Sequence, residues 1–470
     1  MRRLKLLSSF LAIPWLTLLV SGCGGGNTIG HTAQTITFTN PGTQTAGTSQ
    51  ALSANASSDV AVILTSATLG VCTVSGTTAT FVTAGTCTID ASQSGNSTYA
   101  AASQVAQSFT VNPAIGPNIT IYVAGYAIST ASSPSNVVNV AEIWQLKSGS
   151  PTATATALPT PSGITSSQAD AITISGSDVY VAGTTSNGAN QTAVYWLNHG
   201  PAITLPSSMA ISQTNAIAVS DGNVYIAGYE ENGVANGNAV LWVNGAHTML
   251  PPPPGKAYAG ASAVMVSGGN VYVAGIAFNN DNDESAVLWV NGVPTILPPP
   301  AGLTGDYFAN GLAISAGTIY VSGSTIPSVG NSTALFWVNG GAATALPVPP
   351  NDSAGNYGAG AITVSGSDVY VAGAGSNGTT GDTSAAYWMN GAATTLPMPN
   401  AFANPSDGTS STSEIALSGS DVYAAGWLVD STDGVAQTAA YWVNGGEATL
   451  LPMPSGTYES WASAIAVATQ

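Results

Sequence analysis

The chain has 470 residues, only 6% of them charged, and its five basic residues, Arg2, Arg3, Lys5, Lys147 and Lys256, face 22 acidic ones. Loss of the first three with a leader leaves two Lys, no Arg and a net charge of 2 − 22 = −20. Such a chain has no guanidinium fork for phosphate and repels polyanions, which excludes nucleic acid and anionic headgroups as partners.

The chain opens as an export leader, because Arg2, Arg3 and Lys5 precede an apolar run from Leu6 to Val20 that ends in small residues. The run closes on Val20-Ser21-Gly22-Cys23, which resembles the lipobox of bacterial lipoproteins. The resemblance implies a signal peptide over 1–22 and a diacylglycerol-bearing thiol at Cys23. Gly24 in place of Asp implies an outer-membrane or cell-surface location. Residues 23–33, with three consecutive glycines, then form a tether, so the membrane is a partner only through the lipid.

From 34 to 113, short β-rich runs alternate with Gly, Ser and Asn turns, as in GVCTVSGTTATFVTAGTCTIDASQ. The length suits one small β-sandwich. Cys72 and Cys87 lie in strand-like runs around an SGTT turn. A hairpin would set them across from one another, and an oxidising compartment would bond them. The CTVSG…AGTCTI and SFTVNP segments resemble bacterial Ig-like surface repeats, which implies a spacer.

Over 116–470 a period of about fifty residues takes over, the sign of a repeat architecture. Each unit carries an AITIS-like strand, a VYVAG strand, a YWVNG strand and a closing Leu-Pro. The Tyr of the second element recurs at 122, 180, 225, 272, 320, 370 and 423, and the Trp of the third at 144, 196, 242, 289, 337, 388 and 442. Seven units of four short strands predict a seven-bladed β-propeller. Proline cannot donate to a ladder, so the Leu-Pro element is outermost and AITIS lines the central channel. The first unit lacks an AITIS strand, while an unpaired one, Ala464-Ile465-Ala466-Val467, ends the chain. That strand is expected to complete blade 1. The whole is an all-β chain, an Ig-like β-sandwich followed by a propeller closed by its C-terminal strand. The unit resembles a loosely defined set of bacterial DVYVAG…YWxNG repeat propellers, distantly like kelch blades, a likeness that implies fold and no chemistry.

The turns between first and second and between third and fourth strands are short and uniform, whereas the other connections vary. Both variable sets fall on one face of the disc, which makes that rim the candidate ligand face. Tyr258, Tyr307, Phe308, Tyr357, Phe402, Tyr458 and Trp461 lie there, placed either to meet a sugar or protein or to wedge adjacent blades. Asn279, Asp281, Asp283 and Glu284 crowd one loop, either as a calcium site or as a solvated acidic turn. No other cofactor is implied. Of three His, His31 lies in the tether, and His199 and His247 fall in turns expected on the face away from the variable loops. No catalytic set can be assembled, although Glu230, Glu231, Asp306 and Glu459 dot the variable loops. The reading is a surface-displayed, lipid-anchored, non-catalytic protein that binds a neutral glycan or protein ligand. Its alternatives are a carbohydrate-active hydrolase or lyase and a structural envelope component.

Overall fold

The computed structural model describes residues 31–112, 119–129, 138–147, 150, 152–232, 237–281, 283–302, 305–327, 330–349, 355–376, 383–399, 408–429 and 437–469. Among them none is helical. Cys23 and Phe402 lie outside the described residues.

The N-terminal strands form a four-stranded sheet, a three-stranded sheet and a two-stranded pair around one core. Cys87, Ile89 and Ala91 point inward along Gly85–Ser92 while the residues between them stay more exposed, the two-residue period of a sheet with one buried face. Phe81 and Phe109 meet edge to face at 5.8 Å. The Cys72–Cys87 disulfide is present, with its Cα atoms 5.7 Å apart. It is not a bond across a hairpin: Cys72 pairs with Phe81 and Cys87 with Phe109, so the bond staples the three-stranded sheet to the four-stranded one.

The remaining strands form seven four-stranded blades, and a single parallel bridge, Gln191 to Ile211, joins blades 2 and 3. Blade 2 runs outward through Ser166–Ser175, Asp178–Ser186, Gln191–Leu197 and Ile203–Thr204. The innermost strands of blades 3 to 7 are Ile211–Ser220, Tyr258–Ser267, Gly305–Ser315, Asn356–Ser365 and Thr409–Ser418. Blade 1 takes its innermost strand from the chain's other end: Thr457–Thr469 pairs antiparallel with Ile119–Ser129, setting Ile465 opposite Val123.

The recurring residues hold the blades to one another. All seven repeat tryptophans are at most 1% exposed, and a buried indole needs a partner for its N–H. Each donates to the carbonyl of the proline that closes the preceding blade: Trp196 to Pro159 at 2.9 Å, Trp242 to Pro206 at 2.7 Å, and so on to Trp442 and Pro397 at 3.0 Å. The leucine before each proline is buried, and its N–H reaches the third strand of its own blade, as Leu205 does at the Ala193 carbonyl. On the short-turn side, Asn198, Asn244, Asn291, Asn339, Asn390 and Asn444 sit at positive φ. Their amides tie the third-to-fourth turn to the start of the second strand, as in Asn198 with Val179 and Asp178. The Asp and Asn that open the second strand are therefore turn residues.

Every innermost strand carries a one-residue bulge halfway along, at Asp170, Asn215, Ser262, Asn310, Gly360, Ser413 and Ser463. The bulge drives the carbonyl two residues earlier onto the glycine of VYVAG. A Cβ on Gly228 would stand 1.9 Å from the Gln213 oxygen, and one on Gly125 would stand 1.9 Å from that of Trp461. Only glycine fits that close approach.

Candidate functional site

The seven innermost strands enclose an axial chamber of about 390 Å³. At its upper end, at the level of the bulges, three side chains strap one blade to the next. Asp170 Oδ2 accepts from Thr214 Oγ1 at 3.0 Å, Asn215 Nδ2 donates to the Ala261 carbonyl at 2.8 Å, and Asn310 Nδ2 donates to that of Ala359 at 2.7 Å. In each case the partner is the residue just before the next blade's bulge, so the unpaired residue aims its side chain around the ring.

One level nearer the variable loops, two residues before each bulge, stand Gln168, Gln213, Gly260, Phe308, Gly358, Ser411 and Trp461. This level varies in size and chemistry from blade to blade. Trp461 stacks on Tyr126 of the adjoining strand with ring centroids 5.0 Å apart and planes 14° from parallel, both rings half-buried. Burial raises the Tyr126 pKa first, and the charges of Asp170 and Glu459 raise it further. Burial, Glu231 and Asp170 do the same to Tyr229 of blade 3. Asp170 thus lies within electrostatic reach of aromatic residues on both neighbouring blades. Its own carboxyl is pushed up to about 7 by burial, against hydrogen bonds from Thr184, Thr214 and Gln168.

The rim aromatics divide. Tyr307 and Tyr357 do not present rings to solvent: they are 8% and 2% exposed. Tyr307 lies 6.4 Å from the Trp337 ring and hydrogen-bonds Ser285 of blade 4, so it wedges two blades. Tyr357 meets the Trp388 ring at 6.3 Å and covers Gly375, which has no side chain to resist it. Tyr258 is half-buried beside its cross-strand partner Phe278 at 5.3 Å. Phe308, Trp461 and Tyr458 keep surface free, Tyr458 being 40% exposed.

The acidic loop is met by a cation from the connection before Tyr258–Ser267. Lys256 Nζ donates to Asp283 Oδ2 at 2.9 Å and to the Asp283 carbonyl at 2.8 Å. Asn279 Oδ1 accepts the N–H of both Asp281 and Asp283 at 3.0 Å, which uses the oxygen that a metal would take. Glu284 has its pKa raised by burial and by Asp306, with Lys256 opposing. Among the described residues no three His, Cys, Asp or Glu side chains converge on one point.

His247 and Glu230 do not lie on opposite faces. His247 Nε2 and Glu230 Oε1 are 2.9 Å apart, and Ser208 Oγ donates to Glu230 Oε2 at 2.9 Å. The fully buried carboxylate bridges Ser and His, so the imidazole does not sit between nucleophile and acid as a Ser-His-acid triad requires. This is a buried hydrogen-bonded pair in the core of blade 3.

Two further carboxyls were not singled out by spacing, although each breaks the repeat. Glu414 stands where the other blades have Ala171, Ala216, Ala263, Gly311, Ala361 and Ala464. It lines the chamber, and burial pushes its pKa up to about 7. Glu142 stands two residues before Trp144, where the other blades have Val194, Val240, Val287, Leu335, Ala386 and Ala440, all fully buried. It is 3% exposed, its Oε2 lacks a hydrogen-bond partner among the described residues, and burial pushes it up to about 7.

No family model matches the chain, and no curated protein matches it. Among solved structures it is similar to the β-propeller domain of the Trilobed protease from Pyrococcus furiosus. That match has 10% identity and a TM-score of 0.40, over 73% of this chain and 96% of that one. A quinonprotein alcohol dehydrogenase-like protein from Bacteroides thetaiotaomicron matches at 9% identity and a TM-score of 0.38, over 91% of this chain and 96% of that one. An α-L-arabinofuranosidase from Clostridium thermocellum matches at 13% identity and a TM-score of 0.26, over 47% of this chain and 89% of that one.

Proposed function

We propose that this is a surface-displayed glycan-binding protein, tethered by lipid at Cys23, raised on an Ig-like spacer over 34–113, and binding a neutral saccharide at the variable-loop end of the propeller axis. The observation that supports it is the half-buried Tyr126–Trp461 stack beside Glu459. A flat aromatic platform suits the C–H face of a sugar ring, and a carboxylate with the amides of Gln168 and Gln213 at the same level suits its hydroxyls. A surface with almost no fixed positive charge and a large negative net charge disfavours an anionic ligand, which points to neutral polyhydroxylated chemistry.

The test is a glycan array probed with the chain and with Trp461→Ala and Phe308→Ala, their folding checked by melting temperature. Binding that both folded variants retain in full removes the site. A hydrolase or lyase is the rival reading, favoured by the raised pKa of Asp170 beside the platform. Turnover of an array hit that disappears in Asp170→Asn would select it over binding alone, and a chain that takes no glycan at all would point to a structural envelope role.

A further inference from the structure

The lower half of the axial channel has a chemistry that the saccharide reading does not use. Below the bulges most of the side chains that line it are apolar, down to Ile174, Met265, Leu417 and Val467 near the far end, with Thr173 and Thr363 among them. At its upper end three side-chain acceptors stand in the same ring as the Ser262 hydroxyl. The amide nitrogens of Asn215 and Asn310 are already held by the Ala261 and Ala359 carbonyls. Among the described residues nothing donates to their Oδ1 atoms, and the Glu414 carboxyl accepts only from the Ile415 N–H. Small residues at the matching position of the other six blades leave room beside Glu414.

A chamber with one carboxylate, two amide oxygens that accept nothing from the described residues and apolar side chains below them matches a ligand with several donors, a positive charge and an alkyl body. We propose that this chamber binds a small primary alkylammonium ion, its ammonium on Glu414 with Asn215 and Asn310 as further acceptors and its alkyl group against the apolar side chains below them. An anion meets no positive group among the lining residues. A hard divalent cation asks for six or more oxygens, and the lining offers a single carboxylate. The volume of about 390 Å³ lies in the range of small-molecule sites. The net charge of the chain concentrates cations around it.

The probe is n-butylammonium chloride, titrated calorimetrically into the full chain, with n-butanol as the uncharged control and Glu414→Ala as the variant. Alanine stands at this position in five other blades, so the variant is expected to fold with its melting temperature kept or raised. Butylammonium should bind the parent, and Glu414→Ala should weaken it by at least about tenfold, as loss of an enclosed charge partner does. Butanol should be weaker than butylammonium by a similar factor. The proposal is overturned if butylammonium shows no heat with the parent up to about 10 mM, if the variant binds it equally well, or if butanol binds as tightly. None of these results bears on the saccharide site, which is read separately through Trp461.

Discussion

Trp144 Nε1 donates to the Pro452 carbonyl at 2.9 Å, joining residues 308 positions apart. It is the same bond that Trp196 makes to Pro159 and Trp242 makes to Pro206, but here it spans the seam where the two ends of the ring meet. Blade 7 therefore packs on blade 1 as on any internal neighbour.

Closure should be all or none. Removing residues 457–470 deletes the innermost strand of blade 1, exposes the ladder of Ile119–Ser129 and leaves Val123 and Ile121 without their cover. The truncated chain should lose its cooperative melting transition in calorimetry. Trp144→Phe, which removes the indole N–H, strands a buried carbonyl and leaves a cavity where the second ring stood, should cost about 2–4 kcal/mol. Trp242→Phe should cost the same in chemical denaturation, because the two seams are built alike.

The VYVAG glycine is a demand of the bulge. Gly228→Ala puts a Cβ 1.9 Å from the Gln213 oxygen, and neither strand can move without breaking its ladder. The expected loss is about 3 kcal/mol or failure to fold. Gly237→Ala, whose nearest neighbour would be 3.7 Å away, should change stability by less than about 0.5 kcal/mol. Urea unfolding of the two variants checks the contrast.

Mild acid should stabilise this protein. Burial raises Glu142, Asp170 and Glu414 to about 7 from ordinary values of 4.5, 3.8 and 4.5. A folded state with raised carboxyl pKa values holds more protons than the unfolded chain across that window. Stability is then full below about 4, is lost as pH rises to about 7, and is flat above. Melting temperature measured from pH 5 to 8 should fall, the reverse of ordinary acid denaturation. Glu142→Val, which restores the residue type found in blades 2 to 4, should raise stability at pH 8 by about 3 kcal/mol and flatten the profile. A profile that rises from pH 5 to 8 in the parent would overturn this account.

The buried carboxyl of blade 3 depends on its pairing. His247→Ala leaves the fully buried Glu230 with Ser208 as its remaining partner and should destabilise by about 3 kcal/mol. Adding Glu230→Gln should recover most of that loss, because a neutral amide costs far less to bury. Denaturant midpoints of the single and double variants test the pair.

Much of this architecture is legible in the order of residues. Seven Tyr, seven Trp and seven Leu-Pro pairs at one period require like units, proline excludes its element from a ladder interior, and an orphan strand at one end matches a missing strand at the other. Local chemistry and periodicity are enough for that, since each rule acts within one repeat. The partners of those residues are not legible, because the Trp–Pro bond runs between blades and a sequence does not state which element stacks on which. The same gap left Tyr307 and Tyr357 open between ligand contact and packing, which their burial decides, and it separated His247 from Glu230, which the imidazole reaches within the blade. Glu414 and Glu142 were visible as departures from the repeat, yet their meaning depends on depth, and burial belongs to the assembled ring. Tertiary structure alone decides which side chains lose water, and with it which carboxyl becomes a candidate site and which aromatic becomes core.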